Sequence, residues 1–202
     1  MHIEFLLEEE SCSETIRSLL PRILGDQTTF VMHIFQGKRD LLDSLPSRLR
    51  GYRKWLPRDW RIVVLVDRDR DDCCDLKEML EKTAKEAGLT TKTFVGSGNQ
   101  FQVLNRIAIE ELEAWFFGDV EAIVTAYPRV PKTLAEKRGF RDPDSIPGGT
   151  WEALENVLKK AGYYAAGMPK IEVARTISPH LNIDRNRSKS FCVFCEGLKR
   201  LE

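Results

Sequence analysis

Arg61-Ile62-Val63-Val64-Leu65-Val66, followed without a break by Asp67-Arg68-Asp69-Arg70-Asp71, is the stretch on which the fold turns. Its first part is continuously apolar, as a strand covered on both faces of a parallel sheet should be. Its second part is a run of acids where that strand ends. Working outward, His2 to Leu7 reads as a short buried first strand and Thr28 to Phe35 as a second. Between them, Ser11 to Leu24 places Ile16, Leu19, Leu20 and Ile23 on one helical face, with Ser11 or Ser13 as cap and Glu14 in the first turn. Leu41 to Trp55 reads as a basic amphipathic helix, and Asp72 to Ala87 as a helix ending at Gly88. Thr90 to Val95 is another β-rich run. Phe101 to Ile109 leads into Glu110 to Phe117, helical by composition. Strands alternating with helices of this length predict an α/β fold with a mostly parallel sheet flanked by helices.

After Tyr127 the character changes. Pro128, Pro131, Pro143, Pro147, Gly148 and Gly149 punctuate a loop-rich stretch, with helices expected over Trp151 to Lys160, Lys170 to Ile177 and Phe191 to Leu201. The expected organisation is an α/β core over 1–127 and a loop-rich helical C-terminal extension over 128–202, packed on that core.

The chain carries 31 basic and 31 acidic residues, so bulk charge argues neither for nor against a polyanionic partner, and local distribution has to decide. No apolar run approaches the roughly 18 residues of a membrane span. The first residues, Met1 to Glu8, carry acids where a signal peptide carries bases, so the chain is expected in the cytoplasm, off the membrane. Five cysteines, two of them adjacent (Cys73 and Cys74), make a poor disulfide framework. Cys192-Val193-Phe194-Cys195 has metal-ligand spacing but no second pair like it, which favours buried thiols on a C-terminal helix over a zinc site.

Acids concentrate in three places. Residues 1–14 hold Glu4, Glu8, Glu9, Glu10 and Glu14; residues 67–75 hold Asp67, Asp69, Asp71, Asp72 and Asp75; residues 110–121 hold Glu110, Glu111, Glu113, Asp119 and Glu121. Bases gather over 36–61 and 129–141. Such segregation suits a protein that holds cations at one point and phosphates around it. Ligands of parallel sheets bind at strand carboxyl ends, where the Asp run lies. If the chain stays extended, Asp67 and Asp69 project to the same side, roughly 7 Å apart. Mg²⁺ takes oxygen ligands at about 2.1 Å and would remove the repulsion among such carboxylates. The competing reading is an Asp-rich turn capping the next helix, with Arg68 and Arg70 as counter-charges. Glu8 ends the first strand and faces the same crevice, or else complements a helix dipole with Glu9 and Glu10. Glu110 and Glu113, three apart, are expected on one helical face. There Glu113 amid Leu112, Ala114 and Trp115 wants a metal or a lysine as partner, unless the face is simply solvated.

A carboxylate after the first strand, then a strand ending in Asp-x-Asp, resembles the Toprim fold of topoisomerases, primases and the overcoming-lysogenization-defect (OLD) nucleases. Leu6-Leu7-Glu8-Glu9-Glu10-Ser11, Val66 to Cys73, Ile107 to Asp119 and Ser188-Lys189-Ser190-Phe191 more closely resemble the bacterial family called domain of unknown function 4276, nearly end to end. The resemblance implies a Toprim-like nuclease that uses one or two Mg²⁺ or Mn²⁺ ions to cut DNA or RNA in anti-phage defence. It also implies an ATPase partner of the ABC or structural-maintenance-of-chromosomes type encoded nearby, and admits a homo-oligomer. Glu8, Asp67 and Asp69 match the ligands of one ion. Asp71, Glu110 and Glu113 resemble the acids of a second. Where Toprim sequences place Gly after the first-strand Glu, this chain has Glu9, which leaves the ligand open among Glu8, Glu9 and Glu10. OLD nucleases also use a lysine near the scissile phosphate, for which Lys170 is the candidate against a solvated helix-start lysine. Arg138, Arg141 and Lys189 are candidates for the nucleic-acid backbone. Two rival functions keep the same acids: a non-catalytic metal-binding subunit that docks on an ATPase, and a metal-dependent phosphatase or nucleotidyl-transfer enzyme.

Overall fold

The computed structural model describes residues 1–95 and 100–201. The elements run β1 (His2–Leu7), α1 (Glu10–Leu24), β2 (Thr29–Ile34), α2 (Lys38–Trp55), β3 (Trp60–Asp67), α3 (Cys73–Glu86), α4 (Lys92–Val95), β4 (Val103–Ala108), α5 (Glu113–Gly118), α6 (Val120–Ala126), α7 (Thr150–Lys160), α8 (Lys170–Ile177) and α9 (Lys189–Lys199). Short 3₁₀ turns at Lys132–Glu136, Arg138–Phe140, Pro143–Ser145 and Ser178–His180 carry the chain between the later helices.

The four strands form one parallel sheet in the order β2-β1-β3-β4. β3 is central and its side chains alternate between two cores. Val63 and Leu65 join the core that contains α1, whereas Ile62, Val64 and Val66 join the core built on α2 and α3. This double burial is why the strand is apolar without alternation. Leu41, Leu45, Leu49 and Tyr52 of α2, together with Leu76, Leu80 and Ala84 of α3, cover the second face. Glu4 is the one acid of β1 on that face, and its carboxylate is satisfied by Tyr52 Oη at 2.9 Å, His33 Nε2 at 2.6 Å and His2 Nε2 at 3.2 Å.

The topology creates a crevice. From β1 the chain turns to β2 on one side, and from β3 to β4 on the other, so the carboxyl ends of β1 and β3 diverge at a switch point. Glu8 directly follows β1 and Asp67 closes β3, which places them side by side there.

The later helices cover the face that α1 occupies. Trp115 is fully buried against the rings of Phe191 and Phe194, with centroids 5.4 and 4.9 Å away, and its Nε1 donates to Ser190 Oγ at 3.0 Å. Arg22 of α1 donates to the carbonyls of Leu181 and Ser178 at 2.6 and 3.0 Å, and Arg175 of α8 pairs with Glu14 at 3.0 Å. Asp144 caps α9, accepting from Ser188 Oγ at 2.7 Å and Lys189 N at 2.6 Å. Gly118 is required for close approach: an added Cβ would lie 1.9 Å from Asn186 Oδ1. Among the described residues no helix is long and apolar enough to cross a membrane.

Three local expectations are corrected. Thr90 to Val95 is not extended; Thr91 makes a single bridge to Val103, and its Oγ1 accepts from Phe94 N at 3.2 Å, so a side-chain cap starts one helical turn and outweighs β propensity. Neither Ser11 nor Ser13 caps α1. The helix begins at Glu10 after an extended Glu9, and both serines are buried within it. The helix expected from Glu110 begins only at Glu113, because Glu110 sits at φ +59 and the carboxylate of Glu111 leaves to cap α7, accepting from Thr150 Oγ1 at 2.9 Å and Trp151 N at 2.7 Å.

Candidate functional site

Asp67 lies at the end of a buried strand and shares the face of Val63 and Leu65, so it points toward α1 and away from solvent. It is only 5 % exposed, and its Oδ1 has no hydrogen-bond partner. Glu113, the first residue of α5, is 2 % exposed and its Oε2 is likewise unpartnered. Glu8 Oε2 accepts from Asp67 N at 3.2 Å, which ties the ends of β1 and β3 together. A buried, unpaired carboxylate is costly, and burial raises the pKa of all three acids. Burial pushes Asp67 well above the usual carboxylate range, and the carboxylates of Glu8, Glu113, Glu9 and Asp69 push it further. Burial lifts Glu113 to about 7, against the pull of the Lys170 ammonium. Burial also raises Glu8, opposed by the Asp67 N–H and reinforced by Asp69. Cys12, wholly buried on α1, has its thiol raised first by burial and then by Asp67, Glu9, Glu113 and Glu8, which places it beneath the same cluster.

Lys170 enters from the first turn of α8. Its Nζ lies 3.3 Å from Glu9 Oε2 and 4.8 Å from the centre of the Trp151 ring. Burial would lower its pKa, but Glu113, Glu9 and Asp67 outweigh that and raise it, so the ammonium stays charged among them. The structure therefore brings together Glu8, Asp67, Glu113 and Lys170. It adds Glu9, one of three acids left open at the end of β1, and Trp151, for which the sequence offers no local signal.

Asp69, Asp71 and Glu110 are arranged differently. The chain does not stay extended past Asp67. Asp69 turns into the left-handed region at φ +51, where its N–H bonds to Glu110 O at 2.8 Å. The Lys38 ammonium, from the first turn of α2, donates to Arg68 O at 2.8 Å and reaches Asp69 Oδ2 at 3.2 Å and Asp71 Oδ2 at 2.6 Å. Glu110 pairs with Arg68. Glu110 and Glu113 do not share a helical face, because Glu110 precedes the helix in a conformation no helix contains. Asp72 caps α3, accepting from Cys74 N and Asp75 N at 2.8 and 3.1 Å, so the helix-capping reading of the Asp run holds for this member.

The basic candidates are exposed. Arg138 opens a 3₁₀ turn, and Arg141 Nε donates to Glu136 O at 3.1 Å. Lys189 borders a cavity of about 260 Å³ at the outer edge of β4, together with Lys77, Arg106 and Ile109. All five cysteines are free thiols. Among the described residues, no three His, Cys, Asp or Glu side chains form a ready-made metal-holding group. The donor chemistry nonetheless suits a hard cation that keeps most of its waters: carboxylates only, two with unpartnered buried oxygens, and one or two protein ligands are enough for Mg²⁺.

The family model described as Domain of unknown function (DUF4276) matches residues 7–199. The chain belongs to this family. The match runs from the last residue of β1 to the end of α9, so the DUF4276 unit contains Glu8, Asp67, Glu113 and Lys170 together with the helices that bury them. No curated protein and no solved structure matches this DUF4276 chain significantly.

Proposed function

We propose that this DUF4276 protein is a divalent-metal-dependent, Toprim-like nuclease that hydrolyses phosphodiester bonds. The observation that carries the reading is the pair of unpartnered, buried carboxylate oxygens on Asp67, at the carboxyl end of β3, and Glu113, at the start of α5, beside a charged lysine. Asp67, Glu8 and Glu113 would hold Mg²⁺ or Mn²⁺. Such an ion supplies an activated water and charge stabilisation at the leaving oxygen. Lys170, released from Glu9 by an incoming phosphate, orients a non-bridging oxygen and offsets the charge that develops on it. The Trp151 ring, 4.8 Å from the ammonium, adds a cation–π contact that helps to place it. In the metal-free chain burial raises Glu113 to about 7, so an ion binding there would displace a proton near neutral pH. Arg138, Arg141 and Lys189 would contact the DNA or RNA backbone away from the cut. The family resemblance supports a role in anti-phage defence with an ABC- or SMC-type ATPase partner in the cytoplasm.

The test is cleavage of plasmid DNA and of tRNA with Mg²⁺ or Mn²⁺, with Asp67→Ala as control. Metal-dependent cutting that disappears in the variant supports the reading. Turnover of nucleotides or small phosphate esters without polymer cleavage moves the function to a phosphatase or nucleotidyl-transfer enzyme. One observation favours a second reading: Asp69, Asp71, Glu110 and Lys170 are all ion-paired in the resting chain, as in a metal-binding subunit with no catalysis of its own. That reading prevails if no cutting appears even with the neighbouring ATPase added.

A further inference from the structure

Two groups of acids meet at the switch point, and their counter-charges differ. The inner group gathers Glu8, Glu9, Asp67 and Glu113; its ammonium, Lys170, pairs with Glu9 at 3.3 Å, and one oxygen each of the buried Asp67 and Glu113 has no partner. The outer group sets Asp69, Asp71 and Glu110 against Lys38 and Arg68, three carboxylates to two cations.

From this we infer that the centre takes one divalent ion, in the inner group, and that the Lys38 ammonium occupies the place of a second. The inference rests on the metal-dependent reading above. An ammonium has three donors, and Lys38 commits all three: to Arg68 O at 2.8 Å, Asp69 Oδ2 at 3.2 Å and Asp71 Oδ2 at 2.6 Å. Its side chain is only 13 % exposed. Its placement is built into the fold, because Gly37 N donates to Glu8 O at 3.1 Å and so fixes the start of α2 to the end of β1. Burial works against the charge on Lys38, yet Asp71 and Asp69 hold its pKa above the ordinary value, so it remains a cation. A metal ion seated on Asp69 and Asp71 would have to expel this ammonium or lie against it, with charges of the same sign in contact. Glu110 is closed off in the same way by Arg68. The ammonium of the inner group, Lys170, hydrogen-bonds only Glu9 and leaves Asp67 Oδ1 and Glu113 Oε2 unpartnered, so an ion can take those two oxygens without expelling it.

The experiment is Mn²⁺ titration of the full chain by calorimetry, with electron paramagnetic resonance counting bound ions. One ion per chain is expected. Asp67→Asn should weaken it at least about 100-fold, whereas Asp69→Asn and Asp71→Asn, at exposed side chains, should change its affinity less than about 3-fold each. Lys38→Met should admit a second ion. Two ions on the wild-type chain overturn the inference and leave the metal reading standing, as does a loss in Asp69→Asn or Asp71→Asn as large as in Asp67→Asn. A folded Lys38→Met chain that still binds one ion removes the role assigned to Lys38. No ion on the wild type overturns the metal reading itself, and the inference with it.

Discussion

Asp67 and Asp71 are the same residue type, four positions apart, and the fold treats them in opposite ways. Asp71 is exposed at 58 % of its side chain and sits 2.6 Å from an ammonium. Asp67 is buried, has an unpartnered oxygen, and is surrounded by more carboxylates. Density of acids therefore does not locate the site. A stable fold can neutralise exposed acids with its own lysines and arginines, and here it does so for Asp69, Asp71 and Glu110. Acids that it buries and leaves unpartnered, Asp67 and Glu113, are the candidates for binding something from outside.

The largest expected effect separates these two positions by activity. Asp67→Asn should lower metal-dependent cleavage by about 1,000-fold or more, as expected for loss of a group that holds the reacting centre together. Asp71→Asn should leave the rate within about 3-fold of wild type, the scale of an exposed ion pair. Rates of plasmid relaxation measured side by side decide it. Equal losses in both variants would erase the distinction between inner and outer acids.

The second effect is on stability and its dependence on pH. Glu113 has an ordinary pKa of 4.5 and is raised to about 7 in the folded chain. Over that interval the folded protein keeps a proton that the unfolded chain has lost, so the sign is a loss of stability as pH rises from about 4.5 through about 7. The full loss is about 3 kcal/mol. Urea unfolding of the metal-free chain should show a decline between pH 5 and pH 8, and Glu113→Gln should make it shallower, leaving the part that the raised Asp67 and Glu8 contribute. Mn²⁺ should restore stability at pH 8 far more than at pH 5, where the site is protonated. A decline of the same size in Glu113→Gln would assign it to another group.

The third effect concerns the lysine that faces the inner acids. Lys170→Met should reduce cleavage about 100-fold. It should also raise the titration of Glu113 further, because the ammonium now pulls that pKa down. The pH midpoint of the stability curve would then move upward, a change that a lysine serving only to fill space against Trp151 would not cause.

Legibility from the sequence follows the same division between local and long-range causes. β3 was legible because burial on both faces writes an uninterrupted apolar run. Asp67 was legible because it ends that run. The parallel sheet with flanking helices followed from the alternation of elements. The start of α5 was not legible, because it is set by a left-handed Glu110 held to Asp69 across the crevice, while composition alone reads Glu110 to Phe117 as one helix. The pairing of Glu9 with Lys170 joins residues 161 positions apart, and Lys170 entered only through the family resemblance. The role of Lys38 is not legible in the sequence. In sequence it is one base in a basic stretch, and its role depends on α2 starting against the end of β1.

The smallest expected effect tests whether the outer acids are simply neutralised. A double-mutant cycle with Lys38→Met and Asp71→Asn should give a coupling below about 1 kcal/mol, because the aspartate is more than half exposed and water screens the pair. Added salt should shrink it further. The same cycle on Lys38 and Asp69 should give a somewhat larger value, since Asp69 is less exposed and also touches the field of Glu8. If instead the Asp71 coupling were several kcal/mol and insensitive to salt, the outer group would be a buried network. Its acids would then belong with Asp67 as parts of one centre, and the contrast between the two positions would dissolve.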